Sequence, residues 1–142
     1  MRRIRQSGAT TILVIAAVAA LGGQQGRSVW DGVYTAEQAR RGEPIYAQHC
    51  GSCHGTTLEG GEMAPPLAGG AFNANWNGLS IGDLVDRIRI SMPQNNPGSL
   101  SRQQCTDIVA MMLNAGSFPA GASELPRELE ALKQIKFEAT KP

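Results

Sequence analysis

Apolar positions along the chain recur at three and four residues, and no stretch alternates with the period of two that a half-buried strand requires. Thr35-Ala36-Glu37-Gln38 has the form of a capping box and opens a segment that runs through Ala39, Ile45, Tyr46 and Ala47 toward Cys50. On that helix Gly42, Tyr46 and Cys50 share one face. A glycine inside a helix costs ~1 kcal/mol, which points to a second helix crossing close to Gly42. Ser80 with Asp83 predicts another helix start, followed by Ile81, Leu84, Val85 and Ile88. This helix should stop near Ser91, because Pro93 pushes the residue before it, Met92, into extended geometry. Ser101-Arg102-Gln103-Gln104 opens a third, with Cys105, Ile108, Val109 and Met112 on one face and Gly116 as its stop. A last short helix is expected from Pro126, burying Leu129 and Leu132. The segment from Gly55 to Leu79, rich in Gly, Pro and Asn, reads as a long functional loop. The pattern predicts an all-α domain with no strand.

The N-terminus changes where such a domain would work. Met1-Arg2-Arg3-Ile4-Arg5 precedes an apolar run from Ala9 to Leu21 that ends in Gly22-Gly23 and Gln24-Gln25. A basic start and a short apolar stretch are marks of an export signal. A spanning helix needs ~20 apolar residues, more than this run supplies. The expected organisation is a signal peptide over 1–23, an N-terminal extension over 24–34, the main domain over 35–121, and a C-terminal helix and tail over 122–142. Export to the periplasm with cleavage leaves no membrane span, and no cysteine stands near the junction to carry a lipid. Loss of Arg2, Arg3 and Arg5 from thirteen basic side chains leaves ten against twelve acidic ones, a formal charge of −2. That balance gives no footing for nucleic acid. About 120 residues remain, one domain by length. With 17 glycines and 8 prolines in the chain, the core is modest and something besides side chains is expected to fill it.

The candidate chemistry is concentrated in His49-Cys50-Gly51-Ser52-Cys53-His54-Gly55. Zinc normally takes four ligands, often from two cysteine knuckles, and this knuckle occurs once, with His49 as the only other histidine. A thioredoxin-like pair would follow a strand, whereas a helix precedes Cys50. Cys-x-x-Cys-His is the attachment signature of c-type haem, in which Cys50 and Cys53 bond the vinyl groups and His54 reaches the iron. One covalent haem is therefore expected, and with it a second axial ligand. Met63 lies nine residues past His54 and would have to cross from one haem face to the other. Met111 and Met112 belong to a helix and read as packing. Met92, 38 residues past His54 and held by Pro93, is the expected sixth ligand, its thioether a soft donor for iron. Cys105 reads as a small buried hydrophobe, and as the odd cysteine of an exported chain it is also a candidate thiol.

With these motifs the chain resembles a class I c-type cytochrome, through Gly42-x-x-x-Tyr46-x-x-x-Cys50-x-x-Cys53-His54-Gly55, the loop Ala64-Pro65-Pro66-Leu67-Ala68-Gly69, and Met92-Pro93. Within that group it is similar to the cytochrome domains that serve quinoprotein alcohol dehydrogenases, through APPLAGGAF, Trp76, SMPQNNPGSLS and DIVAMMLNAGSFPAG. The match runs from about Trp30 to Phe137. The resemblance implies a small class I cytochrome fold wrapped around one haem, with His54 and Met92 as metal ligands. It also implies that the Pro65 carbonyl accepts the Nδ1 proton of His54, and that Trp76 donates to a haem propionate. Similar proteins place an aromatic where Cys105 stands, on the face that meets the first helix.

The function implied is single-electron transfer without catalytic residues, from a dehydrogenase donor toward a terminal oxidase or another cytochrome. A small haem enzyme or ligand binder with a labile sixth ligand, and a cytochrome subunit of a dehydrogenase complex, are the alternatives.

Overall fold

A computed structural model of the chain describes residues 26–142, so the expected export signal lies outside the described residues. Six helices carry the fold: α1 (Ala36–His49), α2 (Gly51–His54), α3 (Gly69–Trp76), α4 (Ile81–Ser91), α5 (Arg102–Ala115) and α6 (Leu129–Lys133). The starts of α4 and α5 are the expected capping boxes, with both reciprocal bonds present at Ser80/Asp83 and at Ser101/Gln104. At α1 only half of the box forms. Thr35 caps the Gln38 amide, but the Gln38 side chain turns inward and is wholly buried. It accepts from Leu125 N at 2.8 Å and donates to Leu125 O at 3.3 Å.

Helices α1 and α5 cross at Gly42. A Cβ there would run into the Asp107 carbonyl and come within 2.9 Å of the Met111 Cβ, which is the close approach the glycine permits. Met111 therefore stands at the crossing. Cys105 is fully buried, with Arg89, Cys50, Arg102 and Asp86 as its charged or ionisable surroundings. Arg41 reinforces the crossing, pairing with the buried Asp107 of α5 at 3.1 Å and with Glu124 at 2.8 Å.

Three expectations need correction. The stretch from Gly55 to Leu79 is not loop throughout, since α3 forms within it around the buried Phe72. The last helix begins at Leu129 instead of Pro126, and the core takes Leu125 and Leu132 while Leu129 stays half-exposed. A strand pair does exist: β1 (Arg27–Ser28) runs parallel to β2 (Ile135–Lys136). Two residues a side leave no periodic signal. They are pinned by their neighbours Val29, Ile135 and Phe137, all buried.

The ends of the described chain thus form a clasp. Trp30 Nε1 donates to Glu138 O at 3.0 Å, Tyr34 Oη donates to Phe118 O at 2.6 Å, and Phe137 exchanges backbone bonds with Gly78 and Leu79 at 2.8 Å. The last contact reaches the turn that launches α4. Aromatic rings continue it inward, with Trp30, Phe118, Phe137, Phe72 and Trp76 in successive contact at centroid separations of 4.8, 5.2, 5.7 and 6.1 Å.

Candidate functional site

The site is built at the end of α1. The Cys50 amide donates to Tyr46 O at 2.8 Å, the chain bends, and α2 carries Cys53 and His54 round one further turn. Tyr46, buried on α1, donates its hydroxyl to Gly55 O at 2.7 Å and so ties the far side of the motif back to the helix before it. Both thiols are free; Cys50 is half-buried and Cys53 exposed. Burial, and then the neighbouring Cys53, push the Cys50 thiol up to about 11, so it is protonated at neutral pH. Among the described residues no three of His, Cys, Asp and Glu come together to hold a metal ion.

His54 is buried, and its Nδ1 lies 2.8 Å from the Pro65 carbonyl oxygen. With Nδ1 as donor to that fixed acceptor, Nε2 is the nitrogen left with a lone pair. The acceptor is held by a compact loop: Gly60 N bonds His54 O at 2.8 Å, Gly61 N bonds Ala64 O at 2.9 Å, and Leu67 N bonds Leu58 O at 2.9 Å. Gly60, at φ +76°, has no room for a side chain, since a Cβ would meet the Pro65–Pro66 peptide. The glycine before the proline loop is thus what lets the loop reach the imidazole. Glu59 closes the same turn. Its carboxylate accepts from Thr57 N and Oγ1 at 2.8 Å, and these bonds with its own backbone amide hold it below the usual carboxylate range.

Helix α4 ends as the sequence implies. Met92 is its C-cap, with φ −124° and ψ 151°, and its side chain is half-buried against the core. Met63 is 80% exposed, whereas Met111 and Met112 are buried on α5. Of the methionines in the described residues, only Met92 is both next to the core and partly open. Trp76 is half-buried at the end of α3. Its indole N–H meets no acceptor among the described residues, in contrast to that of Trp30. Asn73, one turn earlier, carries a side-chain oxygen that is shut from solvent and has no hydrogen-bond partner.

These residues fit a haem. Cys50, Leu67, Ala68, Trp76 and Met92 are apolar groups left half-covered at the margin of the core, as a flat apolar ligand would need. The orphaned polar atom at Asn73 marks a place where the chain alone does not complete its own hydrogen bonding. The donor set of two thiols, an imidazole and a thioether suits haem iron and its attachment. Reading the sequence missed Asn73, whose only signal is its position three before Trp76 in a segment taken for loop.

A small all-α fold with a Cys-x-x-Cys-His turn at the end of its first helix defines a c-type cytochrome. The family described as Cytochrome C oxidase, cbb3-type, subunit III matches residues 37–112, just over half of the chain, and the chain belongs to that family. It carries a cytochrome c domain, a unit of haem-based electron transfer. No curated protein matches the chain. Among solved structures, the sulfane dehydrogenase SoxCD from Paracoccus pantotrophus is similar, with 22% identity and a TM-score of 0.50 over 76% of this chain. This chain spans 61% of that one, and the likeness is one of fold.

Proposed function

We propose that the protein is an exported monohaem electron carrier of the periplasm, taking single electrons from a dehydrogenase, in the first instance a quinoprotein, and passing them toward a terminal oxidase. Cys50 and Cys53 would hold the haem covalently, each thiol adding across one vinyl group with its sulfur on one carbon and its hydrogen on the other. His54 through Nε2 and Met92 through its thioether would hold the iron, and the Trp76 indole N–H would donate to a propionate. The haem supplies a one-electron couple, and a Met ligand favours its ferrous state. Were His54 and Met92 both to hold the iron, no open position would remain for a substrate. The observation that carries the reading is the imidazole of His54, fixed by Pro65 through one nitrogen and free at the other, one residue after the free thiol of Cys53 and four after that of Cys50. Mass spectrometry after acid-acetone extraction tests it: the polypeptide should retain the mass of one haem, and an apoprotein left behind would end the covalent reading. The ferric spectrum should be low-spin with a sulfur-to-iron band.

The rim through which such a carrier would meet its partners carries little charge. Residues 60–81 contain one ionisable side chain, Glu62, and residues 90–101 contain none. Met63 stands exposed there. Docking is then apolar and amide-lined, with association near the unsteered ~10⁵–10⁶ M⁻¹s⁻¹. Stopped-flow reduction by the native donor, from a few millimolar salt to half-molar, should change little. A fall of more than about tenfold would reveal steering and remove the neutral-rim account.

A further inference from the structure

Among the described residues three large apolar side chains stand open to solvent, Met63, Leu79 and Ile90. Met63 belongs to the loop that follows the attachment motif, whereas the other two mark the ends of α4. Ile90 lies on its last turn and is 66% exposed, and Leu79 stands just ahead of the Ser80 cap, 45% exposed. Asp83, Asp86, Arg87 and Ile90 follow the three-and-four spacing of one helix face, and with Ser91 they line a shallow groove. That face is the back of the one that packs, since Ile81, Leu84, Val85 and Ile88 are buried on the other side. The charges between the apolar ends are only partly used. Arg87 is exposed and forms no ion pair among the described residues, although Asp83 precedes it by one turn. Asp83 is held at the cap instead, its Oδ2 accepting from Ser80 N at 2.9 Å and from Ser80 Oγ at 2.7 Å.

Leu79, Asp83, Arg87 and Ile90 read apolar, acidic, basic, apolar, an order that complements itself when reversed. The midpoint of Leu79 and Ile90 falls between residues 84 and 85, and that of Asp83 and Arg87 falls on residue 85. The two midpoints differ by half a residue, about 0.75 Å of helix rise. One twofold axis across the helix at that point therefore sets Leu79 against Ile90 and Asp83 against Arg87, each of them twice. We propose that α4 is the contact face of a homodimer in which the helices of two copies of this chain pack antiparallel. Parallel packing would bring Arg87 to Arg87 and Asp83 to Asp83. Asp86 lies beside the axis and approaches Asp86 of the second copy, a like-charge contact that keeps the pairing weak. One helix a side also falls short of the ~1,200 Å² of a stable complex, so association depends on concentration. The two Met92 residues lie on opposite sides of the axis, roughly 20 Å apart along it, and nothing in the pairing depends on the haem.

Sedimentation equilibrium of the full protein as purified tests this, with pairing in low salt expected to be half complete at ~0.1–1 mM. Each substitution counts twice across a twofold axis. Ile90→Glu and Arg87→Asp should therefore each weaken association by ~tenfold or more while leaving the melting temperature unchanged. Asp86→Asn, which removes the like-charge contact, should tighten it about threefold. Asp83→Arg should weaken it as Arg87→Asp does, with Ser80 Oγ still capping the backbone amide of residue 83. An equimolar mixture of the Arg87→Asp and Asp83→Arg proteins restores both opposite-charge pairs, and it should associate at least as tightly as the wild type. A wild type that stays monomeric at about 1 mM in low salt overturns the proposal. A dimer that Ile90→Glu and Arg87→Asp leave intact overturns it too, because the contact is then elsewhere. Folded variants that remain apart when mixed rule out the antiparallel register. A monomer whose reduction by its native donor slows in Ile90→Glu would give the face to a partner protein, and self-pairing would again be wrong.

Discussion

The clasp and the attachment face lie at opposite ends of one row of aromatic rings, and they treat polar groups in opposite ways. In the clasp, Trp30 N–H, Tyr34 O–H and both ends of the Gln38 amide find partners within the chain. Elsewhere the described residues leave the buried Asn73 side-chain oxygen unmet, and Cys50, Leu67, Ala68, Trp76 and Met92 stay half-covered at the margin of the core. The first region is finished by the polypeptide, the second by something the polypeptide carries. The contrast separates residues kept for stability from residues kept for a ligand, and it does so without reference to any homologue.

The largest expected effect falls on the unfinished region. Met92→Ala should yield a protein that keeps its haem, binds carbon monoxide and has a lower potential; an unchanged spectrum would move attention to the exposed Met63. Next comes the finished region. Phe137 is fully buried between Phe72 and Phe118, so Phe137→Ala should cost ~3–5 kcal/mol in denaturant unfolding. While the variant is folded, its sulfur-to-iron band should remain, and loss of that band would show that the two regions are not separable. Gln38→Ala leaves Leu125 N and O without their partners, and unfolding should report a loss of ~1–3 kcal/mol. Glu124→Gln should have the smallest effect, ~0.2–1 kcal/mol, as for other exposed ion pairs. Its hydrogen bond to Arg41 holds the Glu124 carboxyl below its usual value. The contribution should therefore be present above the ordinary carboxylate range and disappear as the pH falls through the lowered value. A difference between wild type and variant that stays constant into acid would refute the ion-pair origin.

Periodicity and capping made α1, α4 and α5 legible, and with them the motif and the extended Met92. The Pro65 acceptor, expected from resemblance, lies where it was expected, at 2.8 Å from His54 Nδ1. What escaped shares a physical cause. In α3, Gly69-Gly70-Ala71-Phe72-Asn73-Ala74-Asn75-Trp76 has mostly weak helix formers, one buried anchor in Phe72 and a half-buried one in Trp76, so packing decides what propensity does not. The clasp depends on pairs such as Gln38 and Leu125, far apart in sequence, that no local window connects. Pro44 inside α1 would have argued for a break, yet α1 continues, held by its packing against α5 across Gly42. At Thr35 the capping signal located the helix start correctly and misassigned the glutamine.

The parallel pair of Arg27–Ser28 with Ile135–Lys136 also sets an order of events. During synthesis, residues 50–54 emerge more than eighty positions before the strand that closes the clasp. Until Ile135 and Phe137 arrive, Val29 has no lid, and the turn that launches α4 lacks its backbone partner at Phe137. The Cys-x-x-Cys-His segment is then presented as an open peptide to whatever machinery works on thiols, and the later residues shut the domain behind it. Vectorial emergence and native topology together give the chain an interval in which its cysteines are reachable.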